Sequence, residues 1–166
     1  TTGQVLTADG SGEGYWATPS GGGATDIDGL SDAVTYNSGQ SIGIGANALD
    51  SEDGGLYNKN TAVGYDALTA VTSGQYNVAL GYQAGKTFAS SNYNTAIGTW
   101  ALQNHVGTGN GYNTAVGYQA GNNNTTGTGN TQLGSLSSRN ITSGVNNVTV
   151  GYQAGNTTTT GQNQIV

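Results

Sequence analysis

A short alternation of apolar and polar residues returns at a nearly fixed interval along most of the chain. In its fullest form it reads Asn-Thr-Ala-Val-Gly-Tyr-Gln-Ala-Gly, at residues 113–121. The glycine in the middle of the motif recurs every 17 or 19 residues, at Gly45, Gly64, Gly81, Gly98, Gly117, Gly134 and Gly151. Such a short period is the signature of a solenoid, in which each repeat forms one coil, or rung, that stacks on the next.

The residues that precede each glycine alternate as in a β-strand, whose successive side chains point to opposite faces. An aliphatic residue comes directly before the glycine in every copy, namely Ile44, Val63, Leu80, Ile97, Val116, Leu133 and Val150. Because this column has no exception, we predict that it forms the inner core and that the alanine column lies on the opposite face. The glycine itself is expected to turn the chain or to admit a close backbone neighbour.

The first residue of the motif and the segments between copies both favour turns. Asparagine opens the motif in six copies, and we predict that these side chains form a ladder of amides that caps the turn; they are Asn60, Asn77, Asn94, Asn113, Asn130 and Asn147. Glycine, serine and threonine fill the connections, so helix is nearly excluded. The sequence therefore predicts an all-β fold, a repetitive parallel β-solenoid or β-roll with rungs of 17–19 residues.

Two regions follow from the extent of the repeat. Residues 40–166 form the predicted solenoid, and the chain stops within a repeat, so we expect it to belong to a longer protein. Residues 1–39 form a predicted N-terminal acidic connector and linker, which includes Gly21–Gly23 and the acidic segment 26–32. Motif endings also differ between copies, since some close with Ala-Leu and others with Ala-Gly. This difference suggests that the structural unit is a pair of rungs.

Charge and composition exclude several functions. The chain has three basic and nine acidic residues, a net charge of −6, 30 glycines and no cysteine. Without a basic patch, nucleic-acid binding is not expected. No apolar run approaches the roughly 18 residues of a membrane span.

Each rung has few large side chains to bury, and their burial falls short of the entropy cost of ordering the rung. We therefore expect several copies to pack around a common axis and predict a homotrimer.

The sequence gives no support for catalysis, and we predict that this protein is not an enzyme. Glycoside hydrolysis normally needs two carboxyl groups, and Asp66 is the single acid after Asp53. His105 lies in a segment rich in glycine and asparagine, where we expect a solvated loop residue. The acids of segment 50–53 are expected to form a solvated loop rather than a cation site. No cofactor and no metal site are predicted.

With the repeat established, a resemblance can be stated. The motif Asn-Thr-Ala-Val-Gly-Tyr, with Thr-Ser-Gly or Thr-Thr-Gly between copies, resembles the repeat in tail fibres of tailed bacteriophages. It is also similar to the Asn-Ser-Val-Ala-Ile-Gly motif in head domains of trimeric autotransporter adhesins. The resemblance implies a homotrimer of parallel β-rolls that displays a binding surface. Thr61, Thr95, Thr114 and Thr131 stand where the adhesin motif has valine, and only Val78 and Val148 are apolar there. The period here is also longer. Both departures favour the phage fibre.

The resemblance implies a structural, receptor-facing section of a virion tail fibre, outside the cell, that takes part in host-cell attachment. Its partners would be its own copies, other fibre or virion proteins, and a host cell-surface glycan or protein. The ligand-binding candidates are the aromatic residues that follow the motif glycine, namely Tyr65, Tyr82, Trp100, Tyr118 and Tyr152; stacking within the rod is the other interpretation of this column. Two functional alternatives remain, a bacterial cell-surface adhesin head and, more remotely, an ice-binding solenoid.

Overall fold

The computed structural model describes residues 5–8, 14–17, 33–36, 40–52, 58–157 and 159–166. Gly21–Gly23 and the acidic segment 26–32 of the predicted connector lie outside these residues. The strands are β1 (Val5–Ala8), β2 (Gly14–Ala17), β3 (Ala33–Tyr36), β4 (Ser41–Ile44), β5 (Thr61–Val63), β6 (Val78–Leu80), β7 (Ser91–Asn92), β8 (Thr95–Ile97), β9 (Gly109–Asn110), β10 (Thr114–Val116), β11 (Thr131–Leu133) and β12 (Val148–Val150). No helix occurs among the described residues.

The repeated motifs form one parallel sheet, because each rung adds one strand beside the previous one. Strands β4, β5, β6, β8, β10, β11 and β12 follow one another in this sheet, and each adjacent pair is parallel. Equivalent residues pair in register, so Ala62 lies beside Ala79 and Ala79 beside Ala96. Strand β3 adds to β4 in the antiparallel direction, and β1 and β2 form a separate antiparallel pair. The prediction of an all-β parallel solenoid is confirmed.

The motif glycine both turns the chain and permits a close approach between rungs. Its φ angle lies between 120° and 137° at all seven positions, a region that side chains disfavour. A Cβ atom added to Gly64 would lie 2.5 Å from the carbonyl oxygen of Gly81 in the next rung. Both expected roles of this glycine are therefore confirmed.

The face of the sheet that points into the solenoid is the alanine face. Ala62, Ala79 and Ala96 are fully buried, whereas Leu80 is 47% exposed and Val150 is 56% exposed. The two columns do lie on opposite faces, but the prediction that the aliphatic column forms the inner core is wrong. The interior beside the strands is narrow, since a Cβ atom at Gly43 would lie 2.9 Å from the carbonyl oxygen of Ala48. Alanine fills this inward column from β5 to β10, and the polar Gln132 and Thr149 continue it in β11 and β12.

Large side chains reach the core from the turns instead. The fully buried ones among them are Leu49, Leu68, Val71, Phe88, Leu102 and Ile141. Gly85 stands in the column of Leu68 and Leu102, and a Cβ atom there would lie 3.0 Å from the Phe88 ring. Phe88 thus occupies the volume that leucine fills in neighbouring rungs. At Gly121 the corresponding space is occupied by the Gln132 amide, and at Gly155 by Thr149, so each glycine ending is accompanied by a larger side chain from another position.

Candidate functional site

A ladder of asparagine side chains runs through the solenoid and fixes the stacking of the rungs. Asn77 donates from its backbone N–H to Oδ1 of Asn60 at 2.9 Å and from its side-chain amide to the same oxygen at 3.2 Å. Its amide also donates to the carbonyl oxygen of Ser91 at 2.7 Å. The same pattern continues through Asn94, Asn113, Asn130 and Asn147. The predicted ladder is confirmed; its members are buried and therefore structural.

The opposite side of the same sheet faces solvent and is largely apolar. We call it the outer sheet face; it consists of Ile42, Ile44, Thr61, Val63, Val78, Leu80, Thr95, Ile97, Thr114, Val116, Thr131, Leu133, Val148 and Val150. Exposed fractions of Ile42, Leu80 and Leu133 are 43%, 47% and 46%. Parallel sheets are normally covered on both faces. The outer sheet face is therefore the most unusual surface in the described part of the chain.

The aromatic residues that follow the motif glycine form a stacked column at the corner beyond the strands. Tyr65 and Tyr82 stack with ring centroids 5.5 Å apart, Tyr82 contacts Trp100 edge-on at 6.0 Å, and Trp100 contacts Tyr118 at 5.6 Å. We call these four residues the corner ladder. The indole N–H of Trp100 donates to Oε1 of Gln83 at 3.1 Å. The structure brings four of the five predicted ligand-binding residues together, and Tyr152 lies beyond an interruption in this column.

A second aromatic column lies on the other side of the strands. Tyr76 stacks on Tyr93 with centroids 5.0 Å apart, and Tyr93 stacks on Tyr112 at 5.2 Å. The ammonium group of Lys59 lies 5.2 Å from the centroid of Tyr76. All three tyrosines have φ angles of 50–59°, which are uncommon for aromatic residues. Lys59 and Asn146, which stand in the same column, have φ angles of 51° and 55°, so this conformation belongs to the rung and does not depend on the aromatic side chain.

His105 is a core residue, and the prediction of a solvated loop residue is wrong. It is 1% exposed, its Nδ1 lies 3.0 Å from the carbonyl oxygen of Asn124, and its Nε2 lies 3.1 Å from Oγ of Ser91. Since a carbonyl only accepts, Nδ1 carries the proton and Nε2 accepts from the Ser91 hydroxyl. Burial lowers the pKa of His105 below its usual 6.5, so the ring stays neutral.

The sequence contained a signal for this burial. His105 stands three residues after Leu102, as Val71 stands three after Leu68 and Phe88 three after Gly85. These positions form one inward column, so alignment of the rungs would have identified His105 as a core residue. Because Ser91 and His105 are both closed to solvent, a substrate has no access to the pair.

Two of the acidic side chains in the described rungs, Asp66 and Glu52, accept structural hydrogen bonds, whereas Asp50 is exposed. Asp66 accepts from Lys86 at 2.9 Å, from Asn47 at 2.9 Å and from Gln83 at 3.1 Å. These donors, Lys86 foremost, lower the pKa of Asp66 below 3.8. Glu52 is buried and its Oε1 accepts from the Ser41 hydroxyl and the Asn60 amide. The prediction of a solvated loop is therefore wrong for Glu52, and Asp53 lies outside the described residues.

Within the described ranges, no cluster of three or more acidic or histidine side chains is positioned to ligate a metal ion. The same residues contain no helix of the length and hydropathy needed to cross a bilayer. No protein family, curated protein sequence or solved structure matches this chain. The geometry thus defines a class, an all-β parallel β-solenoid with an uncovered apolar sheet face and stacked surface aromatics.

Proposed function

We propose that this chain is a structural, receptor-facing section of a bacteriophage tail fibre that takes part in host-cell attachment as a homotrimer. The outer sheet face is the observation that carries this proposal. Seven strands at about 4.8 Å spacing, each about three residues or roughly 10 Å wide, give a strip of roughly 300 Å². The largest apolar patch on a soluble monomer is typically about 300–600 Å² and is often functional. The occupant proposed for it is the same face of further copies.

Several kinds of contact between consecutive rungs support the role of a rigid rod. Consecutive rungs are joined by strand hydrogen bonds, by the asparagine ladder and by stacked aromatics, so a load along the rod is shared by many contacts. A fibre requires all its copies to point in the same direction, which places the symmetry axis along the rod. The resemblance of the motif to tail-fibre and adhesin repeats favours three copies around that axis.

In this proposal the outer sheet faces of three copies meet at the axis, and the turns face outwards. The partners are the other copies, neighbouring fibre or virion proteins, and a glycan or protein receptor on the host surface. The location is the tail fibre of the virion, outside the cell. The chain has a net charge of −6 and only three basic residues, which disfavours nucleic acid as a partner.

The association is tested first by the mass of the purified chain in solution, measured by light scattering at low micromolar concentration. We expect three times 16.6 kDa. Leu80→Lys and Leu133→Lys, each of which places a charge on the outer sheet face, should give monomers. Ser73→Lys, in an exposed turn away from that face, is the matched control and should keep the trimer. A monomeric wild-type chain, or a trimer that tolerates both leucine substitutions, would overturn the proposed assembly.

The biological setting needs a separate test. Antibodies raised against the chain and detected by immunogold electron microscopy should label the tail fibres of phage particles whose genome encodes it. Label on the surface of bacterial cells instead would replace the phage fibre by the adhesin head.

A further inference from the structure

The two edges of the outer sheet face carry aromatic side chains in the same rungs. The second aromatic column stands before the motif asparagine, at the leading edge, and the corner ladder follows the motif glycine, at the trailing edge. Three rungs have a ring at both edges, and these pairs are Tyr76 with Tyr82, Tyr93 with Trp100, and Tyr112 with Tyr118. Two rungs have no ring at either edge, since that of β4 has Gln40 and Ala46 and that of β11 has Gly129 and Ser135. The two edges therefore agree in all rungs but those of β5 and β12, which have tyrosine at the trailing edge alone.

No contact within one chain accounts for this agreement. Tyr82 follows Tyr76 by six residues of extended chain, which span about 20 Å. Each column stacks along its own edge, and no ring contact among the described residues joins one column to the other. Rings at opposite edges can therefore meet only in a complex with a second molecule.

The rung of β6 shows that the aromatic columns continue the outer sheet face. Asn77 and Ala79 are fully buried, and the residues that alternate with them are exposed. These are Tyr76, Val78, Leu80 and Tyr82, with exposed fractions of 38%, 39%, 47% and 44%. Both columns together widen the apolar strip from roughly 10 Å to about 20 Å and its area to roughly 600 Å². Specific interfaces bury about 600–1,000 Å² on each partner, an area that the strands alone do not provide.

A symmetry axis along the rod brings opposite edges of neighbouring copies together. Rotation about such an axis keeps each rung at its own height, so the leading edge of one sheet face lies beside the trailing edge of the next. We propose that the second aromatic column of each copy packs against the corner ladder of the neighbouring copy, with Tyr76 against Tyr82 and Tyr112 against Tyr118. The inference rests on the proposed homotrimer and adds which side chains join its copies.

This arrangement gives the agreement between the edges a physical reason. A ring at one edge stabilises the assembly most where the neighbouring copy presents a ring at the same height, because aromatic pairs contribute beyond the area that they bury. An antiparallel pair of copies would instead place like edges together, and the occupancy of opposite edges would then be unrelated. The columns therefore favour copies that point in one direction, as a fibre requires.

The absence of cysteine from the chain allows a direct test with introduced thiols. Tyr76→Cys/Tyr82→Cys places one thiol at each edge of the β6 rung, and both replaced side chains are exposed. A short bismaleimide is added at a protein concentration at which the variant is trimeric by light scattering, and the products are separated on a denaturing gel. We expect linked chains up to the closed trimer. Tyr112→Cys/Tyr118→Cys repeats the test in another rung should the first variant not fold.

Three controls define the contact. Tyr76→Cys alone and Tyr82→Cys alone place thiols on like edges, which lie a sheet width apart in a parallel assembly, so we expect no linked chains. Ala89→Cys/Tyr82→Cys has the same number of thiols as the test variant, but one of them lies in an exposed turn instead of at the leading edge. It should also remain unlinked.

Light scattering on the same samples separates failure of this inference from failure of the proposed assembly. A trimer in which neither double variant is linked overturns the pairing of the columns and leaves the assembly intact. A wild-type chain that is monomeric overturns the assembly and the pairing with it. Linked chains in the single variants would show that like edges meet, and the parallel arrangement would then be wrong.

Discussion

Two sections of the solenoid share one backbone but have different interiors. In the apolar section, residues 58–105, the inward strand positions are alanine and the turns contribute Leu68, Val71, Phe88 and Leu102. In the polar section, residues 121–155, the same columns hold Gln132, Ser137, Ser138 and Thr149, all buried. The strand register and the asparagine ladder continue through both. The rung is therefore defined by its backbone and amide hydrogen bonds, and the same rung forms with either an apolar or a polar interior.

Only some of the buried polar side chains in the polar section have hydrogen-bond partners. Ser137 and Ser138 are 2.8 Å and 2.9 Å from Oγ1 of Thr149, and Ser137 also donates to the Thr149 carbonyl oxygen. Both side-chain amide atoms of Gln132, by contrast, have no protein partner. A buried amide without a partner costs roughly 1–3 kcal/mol. The comparison teaches that a solenoid tolerates polar core residues whose neighbours hydrogen-bond to them. Gln132 is the described residue in which both polar side-chain atoms are buried without a partner.

The largest expected effect comes from transferring that glutamine into the apolar section. Ala96→Gln places a long amide where the space over Gly85 is already filled by Leu68 and Phe88. Overpacking together with an unsatisfied amide should lower the free energy of unfolding by about 3 kcal/mol or more. Urea denaturation at fixed protein concentration measures it. Ala89→Gln, the same substitution at an exposed turn position, is the control; equal effects of the two variants would contradict the inward placement of Ala96.

The asparagine ladder should contribute equally in the two sections. Oδ1 of Asn94 accepts twice from Asn113, and Oδ1 of Asn130 accepts twice from Asn147. Asn94→Ala and Asn130→Ala should each lower the free energy of unfolding by about 2–3 kcal/mol, because buried donors in the next rung lose their acceptor. Local hydrogen exchange around each site reports the loss. A nearly neutral Asn130→Ala would mean that the polar section is held together differently.

Acid should weaken the apolar section before the polar section. The pKa of His105 is lower in the folded state than its unfolded value of about 6.5, so the unfolded chain binds the additional proton. Stability from this group is complete above pH 6.5 and declines as the pH falls below it. Asp66 adds a second loss only below its unfolded pKa of 3.8. The urea midpoint at pH 7.5 and 5.5 measures the first step.

A neutral replacement isolates that first step. His105→Gln should abolish the difference between pH 7.5 and 5.5 although it lowers stability at both values. An undiminished difference in this variant would assign the pH dependence to another group.

The smallest effect is expected from converting the Gln132 rung to the common alanine pattern. Gln132→Ala restores alanine to the inward column and removes the unpartnered amide, at the loss of some packing over Gly121. We expect the free energy of unfolding to rise by up to about 1 kcal/mol. Urea denaturation beside the wild-type chain checks this. A loss above 1 kcal/mol would show that Gln132 supports the polar section by contacts that matter more than its desolvation.

Much of this architecture could be predicted because residues that recur at the same position of each repeat have the same backbone conformation and the same hydrogen bonds. The glycine column follows from a positive φ and a close approach, and the asparagine ladder follows from one amide per rung at one position. The aromatic column was visible in the sequence as well, including its interruption at Ser135. Only the structure shows that Trp100, although displaced by one place, contacts both Tyr82 and Tyr118. His105 and Glu52 were misassigned because their neighbours in sequence are turn formers, while their neighbours in space are core residues.

The sequence by itself determined the strand positions, the rung length and the in-register stacking, since these depend on backbone conformation and on identical side chains at a fixed interval. Only the tertiary structure decided which side of the sheet is the interior. A period of two defines two faces but does not say which one is covered. The turns decide it, because their leucine, valine and phenylalanine side chains fill the interior from the far side, so that the small alanine column lies beneath the strands and the larger aliphatic column faces outwards.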